Sequence, residues 1–517
     1  MESIWILAPV LIAAAGGIGL LVSSFKEHLR EKENVRKVPD DPEQLRRIHI
    51  FTMAVLGVSV CLALAAAWSG EHSVTLFYIM EDISVYFHID GLGRLFVTFV
   101  SIVWVLAGIY SFVYMKHEGE EKRFFGFYLL VYAVLTGLDF SGNLVTMYLF
   151  YELMTLTSMP LVLHNGSREA IMAGLKYLFY SMCGAYMGLF GIFFLYRYCD
   201  TLAFTPGGSL NGALASGHEG ILLAAVFMML IGFGAKAGMF PLHAWLPAAH
   251  PVAPSPASAV LSGVIVKGGV LAVIRVVFYM VGADFIRGTW VQTAWMVLTL
   301  LTVFMGSLLA FGEPVLKKRL AYSTVSQVSY ILFGLSVLQP QAAAGALLHT
   351  VFHSFIKCAL FLTAGVFIFQ DGKTRVEELR GIGKKMPKTL WCYTIVSLGL
   401  IGIPPTAGFV SKWHLAEGAL CADVGIFGYV GPVILLVSAL LTAGYLLPVT
   451  MNGFFPGKGE EASDTAVPMQ AKEACEIKEP APAMLVPLAI LAALCVLLGV
   501  FPGPLTSFVS EIAKSFM

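Results

Sequence analysis

The chain has 517 residues, of which 57% are hydrophobic and only 13% charged, about half the charge of an ordinary soluble domain. Its 33 Lys+Arg and 33 Asp+Glu cancel, which leaves no net field for binding nucleic acid or steering charged substrates. Collagen-like, disordered and disulfide-scaffold compositions are excluded as well, and the chain reads as an all-α polytopic membrane protein.

Apolar runs that cross about 30 Å of hydrocarbon need roughly 20 residues. About 14 are present, near 3–23, 49–68, 95–115, 124–141, 144–163, 170–196, 221–241, 257–280, 290–311, 321–338, 342–369, 390–415, 426–451 and 482–501. Several lack period-2 alternation, which points to helices and away from a β-barrel. The first run has no Lys or Arg ahead of it and is long for a signal peptide, so it reads as a retained helix. The odd-numbered connections hold 23 Lys/Arg, chiefly Lys26 to Arg47, Lys116 to Arg123, Lys317 to Arg319 and Lys373 to Lys388. The even ones hold only Arg94, Arg197 and Arg287. By the positive-inside rule this places both termini outside a cell membrane. Glu81, Asp82 and Asp90 make an acidic outer loop, and Asp139 with Asn143 marks an outer turn. Arg275 is close enough to a helix end to snorkel. The stretches 24–48 and 457–480 read as solvated segments.

Five lysines remain inside runs: Lys176, Lys236, Lys267, Lys357 and Lys412, with one mid-run carboxylate, Glu152. Each lysine costs at least about 2.5–3.5 kcal/mol at the bilayer centre, so each needs a reason. A lysine from another helix would keep Glu152 ionised; the pair is either a static pin or a switch. Lys236 lies among Gly232, Gly234 and Gly238, with Pro241 and His243 beyond. Lys412 follows Gly402, Pro404, Pro405 and Gly408. Such Gly/Pro-interrupted segments mark transporter sites, the plainer alternative being two kinks with snorkelling lysines. His349, His353 and Lys357 fall at i, i+4 and i+8 and line one helix face. Spaced imidazoles suit proton relay. The pair also has zinc spacing, but no HExxH glutamate or cysteine cluster completes a metal site. Lys267 sits between Gly263 and Gly268, where helices approach closely. Lys176, nearer a helix end, and His243 are secondary candidates. No CxxC, P-loop or GxGxxG motif is present, so no cofactor or redox site is expected in this chain.

The segment GAKAGMFPLHAWLPAAHPVAPSPASAVLSGVIVKGGVLAVIRV resembles the core of the antiporter-like subunits shared by complex I, Mrp-type cation/proton antiporters and membrane-bound hydrogenases. FHIDGLGRLF, YLFYEL, FHSFIKCALFLTAG and GIPPTAGFVSK follow that family's motif order, and the resemblance covers about 85–450. It implies a fourteen-helix fold with two inverted five-helix repeats and broken seventh and twelfth helices. The divisions are 1–123 (three N-terminal helices), 124–280 and 290–451 (the repeats), and 452–517 (a polar loop and a last helix). It also implies a Glu152–Lys236 ion pair, Lys267 as connecting lysine, a His353/Lys357 bridge and Lys412 as terminal lysine. A lysine at that last place argues against the middle antiporter-like component of complex I. It favours a chain similar to the D component of Mrp antiporters or its counterpart; a long lateral helix is not expected. The implied function is proton translocation, with cation/proton antiport as a variant, inside a complex of membrane subunits that can include an iron–sulfur module and can carry Na+. A structural subunit with a vestigial channel and a stand-alone antiporter are the alternatives.

Overall fold

The structure, a computed structural model, describes residues 3–33, 42–80, 83–456 and 478–517. Glu81, Asp82 and most of the polar stretch 457–480 lie outside the described residues. We label the helices α1 (Ala8–Glu33), α2 (Pro42–Trp68), α3 (Gly91–Glu118), α4 (Glu121–Asp139), α5 (Leu144–Val162), α6 (Arg168–Tyr198), α7 (Glu219–Ala237), α8 (Leu246–Val252) and α9 (Ser255–Val281). Then come α10 (Trp290–Gly312), α11 (Leu316–Ser336), α12 (Pro340–Asp371), α13 (Pro387–Ile401), α14 (Ala407–Leu420), α15 (Phe427–Phe454), α16 (Pro482–Val500) and α17 (Gly503–Ser515).

A helix lies across every apolar run, and the twelfth run is covered by two, α13 and α14. Among the described residues, ten helices are long and apolar enough to cross a membrane. The remaining runs fall short for visible reasons. Helix α4 opens on Glu121, Lys122 and Arg123, α5 carries Glu152 among Thr, Ser and Tyr, and α11 is rich in Ser, Thr and Gln. Helices α13 and α14 have only 15 and 14 residues. Most of α4 and α11 is buried against other helices, where polar side chains meet protein rather than lipid.

Local chemistry sets the helix boundaries. Asp90, Asn143 and Ser167 cap α3, α5 and α6 by accepting from Gly93, Thr146 and Ala170 backbone N–H groups at 2.9, 2.8 and 3.1 Å. Helix α7 stops at Gly238 (φ +81°) and α13 at Gly402 (φ +94°), left-handed positions that suit glycine. Each glycine is followed three residues later by a proline on a cis peptide bond, Phe240–Pro241 and Pro404–Pro405. Proline cannot donate the hydrogen bond that would continue the helix. The two breaks therefore share one design, yet Lys236 precedes its break and Lys412 follows its own.

Helices α9 and α12 form the buried centre and pack on one another. Helix α9 alternates α and π geometry, with π turns at Leu261–Ile265 and Arg275–Val281. A Cβ on Gly269 would stand 2.7 Å from the Ala237 nitrogen and 3.1 Å from the Lys236 Cβ, so α9 rests directly on the lysine-bearing end of α7.

Several features depart from the sequence reading. The structure is not wholly α: β1 (Ser73–Met80) and β2 (Ile83–His88) form an antiparallel hairpin between α2 and α3. The segment is rich in the β-branched and aromatic residues that favour strands. Helix α17 is a further amphipathic helix, with Val509, Ile512 and Ala513 turned inward. Arg275 does not snorkel. It is buried, bonded to both Asp90 oxygens at 2.5 and 2.9 Å and set 4.6 and 4.5 Å from the ring centroids of Phe204 and Tyr279. Burial alone would raise the Asp90 carboxyl, but the charge and hydrogen bonds of Arg275 outweigh it and hold Asp90 below the usual carboxylate range. Asp139 closes α4 and Asn143 caps α5, so the turn between them lies where the sequence placed it, but Asp139 is buried with one oxygen unpartnered. Ser3 bonds to Ser73 and Ile512 packs on Gly91, so both described chain ends lie at the hairpin face.

Candidate functional site

The intramembrane lysines fall into two groups. Lys236 is fully buried and donates to Thr155 at 2.9 Å, to the Tyr177 hydroxyl and to Ser181 at 3.4 Å. Its ammonium also sits 4.3 Å from the Tyr177 ring centroid, a cation–π contact. Tyr177 in turn hydrogen-bonds Ser158 at 2.7 Å and packs on Trp245. These groups converge from α5, α6 and α7.

The expected Glu152–Lys236 ion pair is not made: among the described residues no N···O contact within 4.0 Å joins them. Three hydroxyls take the place of the carboxylate as acceptors. Glu152 is half-buried, keeps one oxygen without a partner, and has Tyr148 one turn away as a neighbour. The pair is open in this structure.

The second group is a row of neighbouring side chains. Lys267 is buried and donates at 2.6 Å to the carbonyl of Ser262, which lies in the π turn of α9, and meets His353 Nδ1 at 2.7 Å. The His353 and His349 rings lie 5.8 Å apart. His349 Nδ1 meets Ser411 at 2.9 Å, and its Nε2 meets the Gln327 oxygen at 3.2 Å. Ser411 is the neighbour of Lys412 in α14. The Lys412 ammonium donates to the Leu400 and Ile401 carbonyls at 2.6 and 3.0 Å, the orphan acceptors at the broken end of α13. It also lies 4.9 Å from the Tyr330 ring, on which His349 stacks. Lys357, fully buried, branches off to the Leu320 carbonyl at 3.0 Å.

Amine, imidazole, hydroxyl and amide thus alternate from Lys267 to Lys412. Each can give or accept a proton or hold a polar neighbour in register. No hydrogen bond among the described residues joins Lys236 to this row; their link is the Gly269 contact. Lys176 does not take part, because it is exposed on α6 while its neighbour Tyr177 turns inward. His243 is half-buried beside Phe240 with Nδ1 unpartnered, close to Lys176 and apart from the row. Among the described residues no group of His, Cys, Asp or Glu is placed to hold a metal ion. Sequence reasoning missed Thr155, Tyr177, Ser181, Gln327, Tyr330 and Ser411. Thr155 lies one turn from Glu152 and Ser411 adjoins Lys412, so spacing from the charges could have found those two.

Residues 141–451 match the family model described as NADH:quinone oxidoreductase/Mrp antiporter, TM, and 79–125 match the complex I chain 5 N-terminus. The chain belongs to the NADH:quinone oxidoreductase/Mrp antiporter family. Among the relatives of this family member is NADH-quinone oxidoreductase subunit N of Desulforudis audaxviator, 34% identical over 430 residues, 82% of this chain and 84% of that one. The D component of the Na(+)/H(+) antiporter of Alkalihalophilus pseudofirmus is 27% identical, with 92% of both chains covered. The fold matches a chain in the structure of the Mrp complex from Dietzia sp. with a TM-score of 0.82, at 22% identity over 99% of this chain and 98% of that one.

Proposed function

We propose that this NADH:quinone oxidoreductase/Mrp antiporter family member is a proton-translocating membrane subunit of a multi-subunit complex. The reading includes fourteen spans, inverted repeats at 124–280 and 290–451, and termini outside the membrane. The row of neighbouring side chains Lys267–His353–His349–Ser411–Lys412, hydrogen-bonded at Lys267–His353 and His349–Ser411 and in ring contact between the two histidines, carries it. The 23-to-3 split of Lys/Arg between connections and the shared face of both chain ends support the orientation. The names of the relatives, an oxidoreductase subunit and a Na(+)/H(+) antiporter component, support partner membrane subunits, with an iron–sulfur module or Na+ as the two forms the partnership takes.

In this reading Lys236 alternates between two environments. Closing on Glu152 at about 4 Å would stabilise its charge by about 4 kcal/mol at an effective dielectric near 20, roughly a thousandfold in proton occupancy. Opening, as observed, leaves the ammonium on neutral hydroxyls and drives its proton toward Lys267 and the row beyond. Glu152→Gln in the assembled complex, reconstituted in vesicles, should assemble normally and lose proton transport. Full transport in that variant would remove the switch. Co-purifying subunits then separate a redox machine from an Mrp-type antiporter.

A further inference from the structure

Arg94 lies in the first turn of α3, just after the hairpin, and is one of only three basic residues held by the even-numbered connections. It is half-buried, and its Nε is shielded from solvent without a hydrogen-bond partner. Among the described residues no carboxylate oxygen lies within 4.0 Å of it. The carboxylate one turn earlier, Asp90, is committed through both oxygens to Arg275. Buried polar atoms are nearly always paired, so Arg94 calls for an anion from outside the chain.

The second observation lies along the same face of α3. Arg94, Thr98 and Ile102 follow at i, i+4 and i+8, and the last two line a groove of about 320 Å³ between α2, α3, α12, α16 and α17. Leu95, Phe99 and Leu498 supply its walls, and Trp68 and Phe508 meet across it with ring centroids 5.5 Å apart. The polar side chains on the wall, Trp68 and Thr98, satisfy each other, since the indole Nε1 donates to the Thr98 hydroxyl at 3.2 Å. The wall therefore asks for no hydrogen bond, while a cation stands one turn beyond it. Trp68 is exposed at the end of α2, the level at which tryptophans meet the membrane boundary. An apolar partner helix would match the wall and leave Arg94 unpaired. An amphiphile with an apolar tail and an anionic head matches both.

Val351 and Phe355 of α12 form the floor. They follow His349 and His353 by two residues each, about 200° round the helix. The groove thus touches the back of the helix whose other face carries the imidazoles.

We propose that this groove is a phospholipid site. The phosphodiester pairs with Arg94, in the two-pronged geometry that a guanidinium offers, and one acyl chain lies against Phe99, Phe355 and Leu498. The lipid braces α12 from the side opposite its histidines. The assignment concerns binding and stands or falls apart from the proton-translocating reading.

The test is native mass spectrometry of the assembled complex, released from detergent micelles doped with palmitoyl-oleoyl phosphatidylglycerol. Wild type is compared with Arg94→Gln, which removes the charge, and Ile102→Trp, which fills the groove. Arg197→Gln, exposed at the end of α6, controls for diffuse attraction of the headgroup. Wild type and Arg197→Gln should retain one phosphatidylglycerol more per chain than Ile102→Trp, and Arg94→Gln should weaken retention about tenfold or more. Added phosphatidylglycerol should also raise the melting temperature of the first two and leave the other two unmoved. Equal retention in all four, or equal loss in Arg94→Gln and Arg197→Gln, would overturn the site. Loss in Ile102→Trp with Arg94→Gln unchanged would overturn the phosphate contact and mark an apolar occupant. Release of a subunit from either variant would make the groove a protein contact and overturn the lipid. Should Ile102→Trp fail to assemble, Arg94→Gln against Arg197→Gln decides alone.

Discussion

Tyr177→Phe is the sharpest perturbation of the Lys236 group, because it removes one oxygen and leaves the rest of the ring in place. Of the three hydroxyls that hold the ammonium, Ser181 at 3.4 Å is near the outer limit of hydrogen bonding. Tyr177 and Thr155 therefore carry most of the support. A hydrogen bond to a charged group contributes about 1.5–3 kcal/mol. The cation–π contact at 4.3 Å and the Trp245 packing survive in phenylalanine, and Ser158 keeps its bond to the Met154 carbonyl at 2.5 Å. The net loss should thus be one charge-assisted bond, a shift of roughly 10- to 100-fold in the balance between charged and neutral Lys236. The assay is quenching of a ΔpH-sensitive dye by the complex in proteoliposomes, with native electrophoresis to monitor assembly. We expect intact assembly and transport cut to about a tenth or less. Thr155→Val should have a similar effect, and the double variant should lose less than the sum, since both act on one ammonium. Wild-type transport by Tyr177→Phe would refute the assignment of Lys236 protonation to its hydroxyl cage.

Asp90→Asn leaves Arg275 charged and buried, so it should lower stability by about 3–5 kcal/mol. Thermal melting in detergent checks this, and Asp90→Asn with Arg275→Met should recover part of the loss. Gly408→Ala drives a Cβ into the Gly399 carbonyl oxygen, forcing α13 and α14 apart. It should reduce assembly on native gels, whereas Gly57→Ala, with open space around the new carbon, should not. Lys176→Gln, on the exposed side of α6, should transport at the wild-type rate in the dye assay; a large loss would return it to the machinery. His164 lies between α5 and α6, where burial first, and then the Arg123 charge, press its pKa from 6.5 down to about 4. The unfolded chain takes up this proton first as pH falls. The associated stability, roughly 3 kcal/mol, is complete above pH 6.5 and is lost on acidification toward pH 4. Melting curves of His164→Gln should be flatter across that window.

The helical runs, the two glycine–proline breaks and the buried charges were legible because lipid leaves so few permissible patterns. Lys236, Lys267, His349, His353, Lys357 and Lys412 stand out as polar letters in apolar text. Their partners do not, since Tyr177, Gln327 and Tyr330 are ordinary in composition and owe their roles to which face of the helix turns inward. Lys176 and Tyr177 make the point: they are adjacent in sequence, and the charged one faces out. Lys317 misled for the opposite reason, because its charge satisfied the loop rule while its side chain points into the protein. The state of the Glu152–Lys236 pair is a matter of a few ångströms that side-chain type does not encode.

The runs that fall short of the membrane-crossing threshold have a consequence for biogenesis. Helices α5, α11, α13 and α14 carry or flank the polar row, and none of them is apolar and long enough to favour lipid by itself. On the fourteen-span reading, each must enter the bilayer together with a greasier neighbour that shields it, as α12 does for α11 and α14, or await one. The residues that would carry protons in the finished protein thereby make its insertion cooperative.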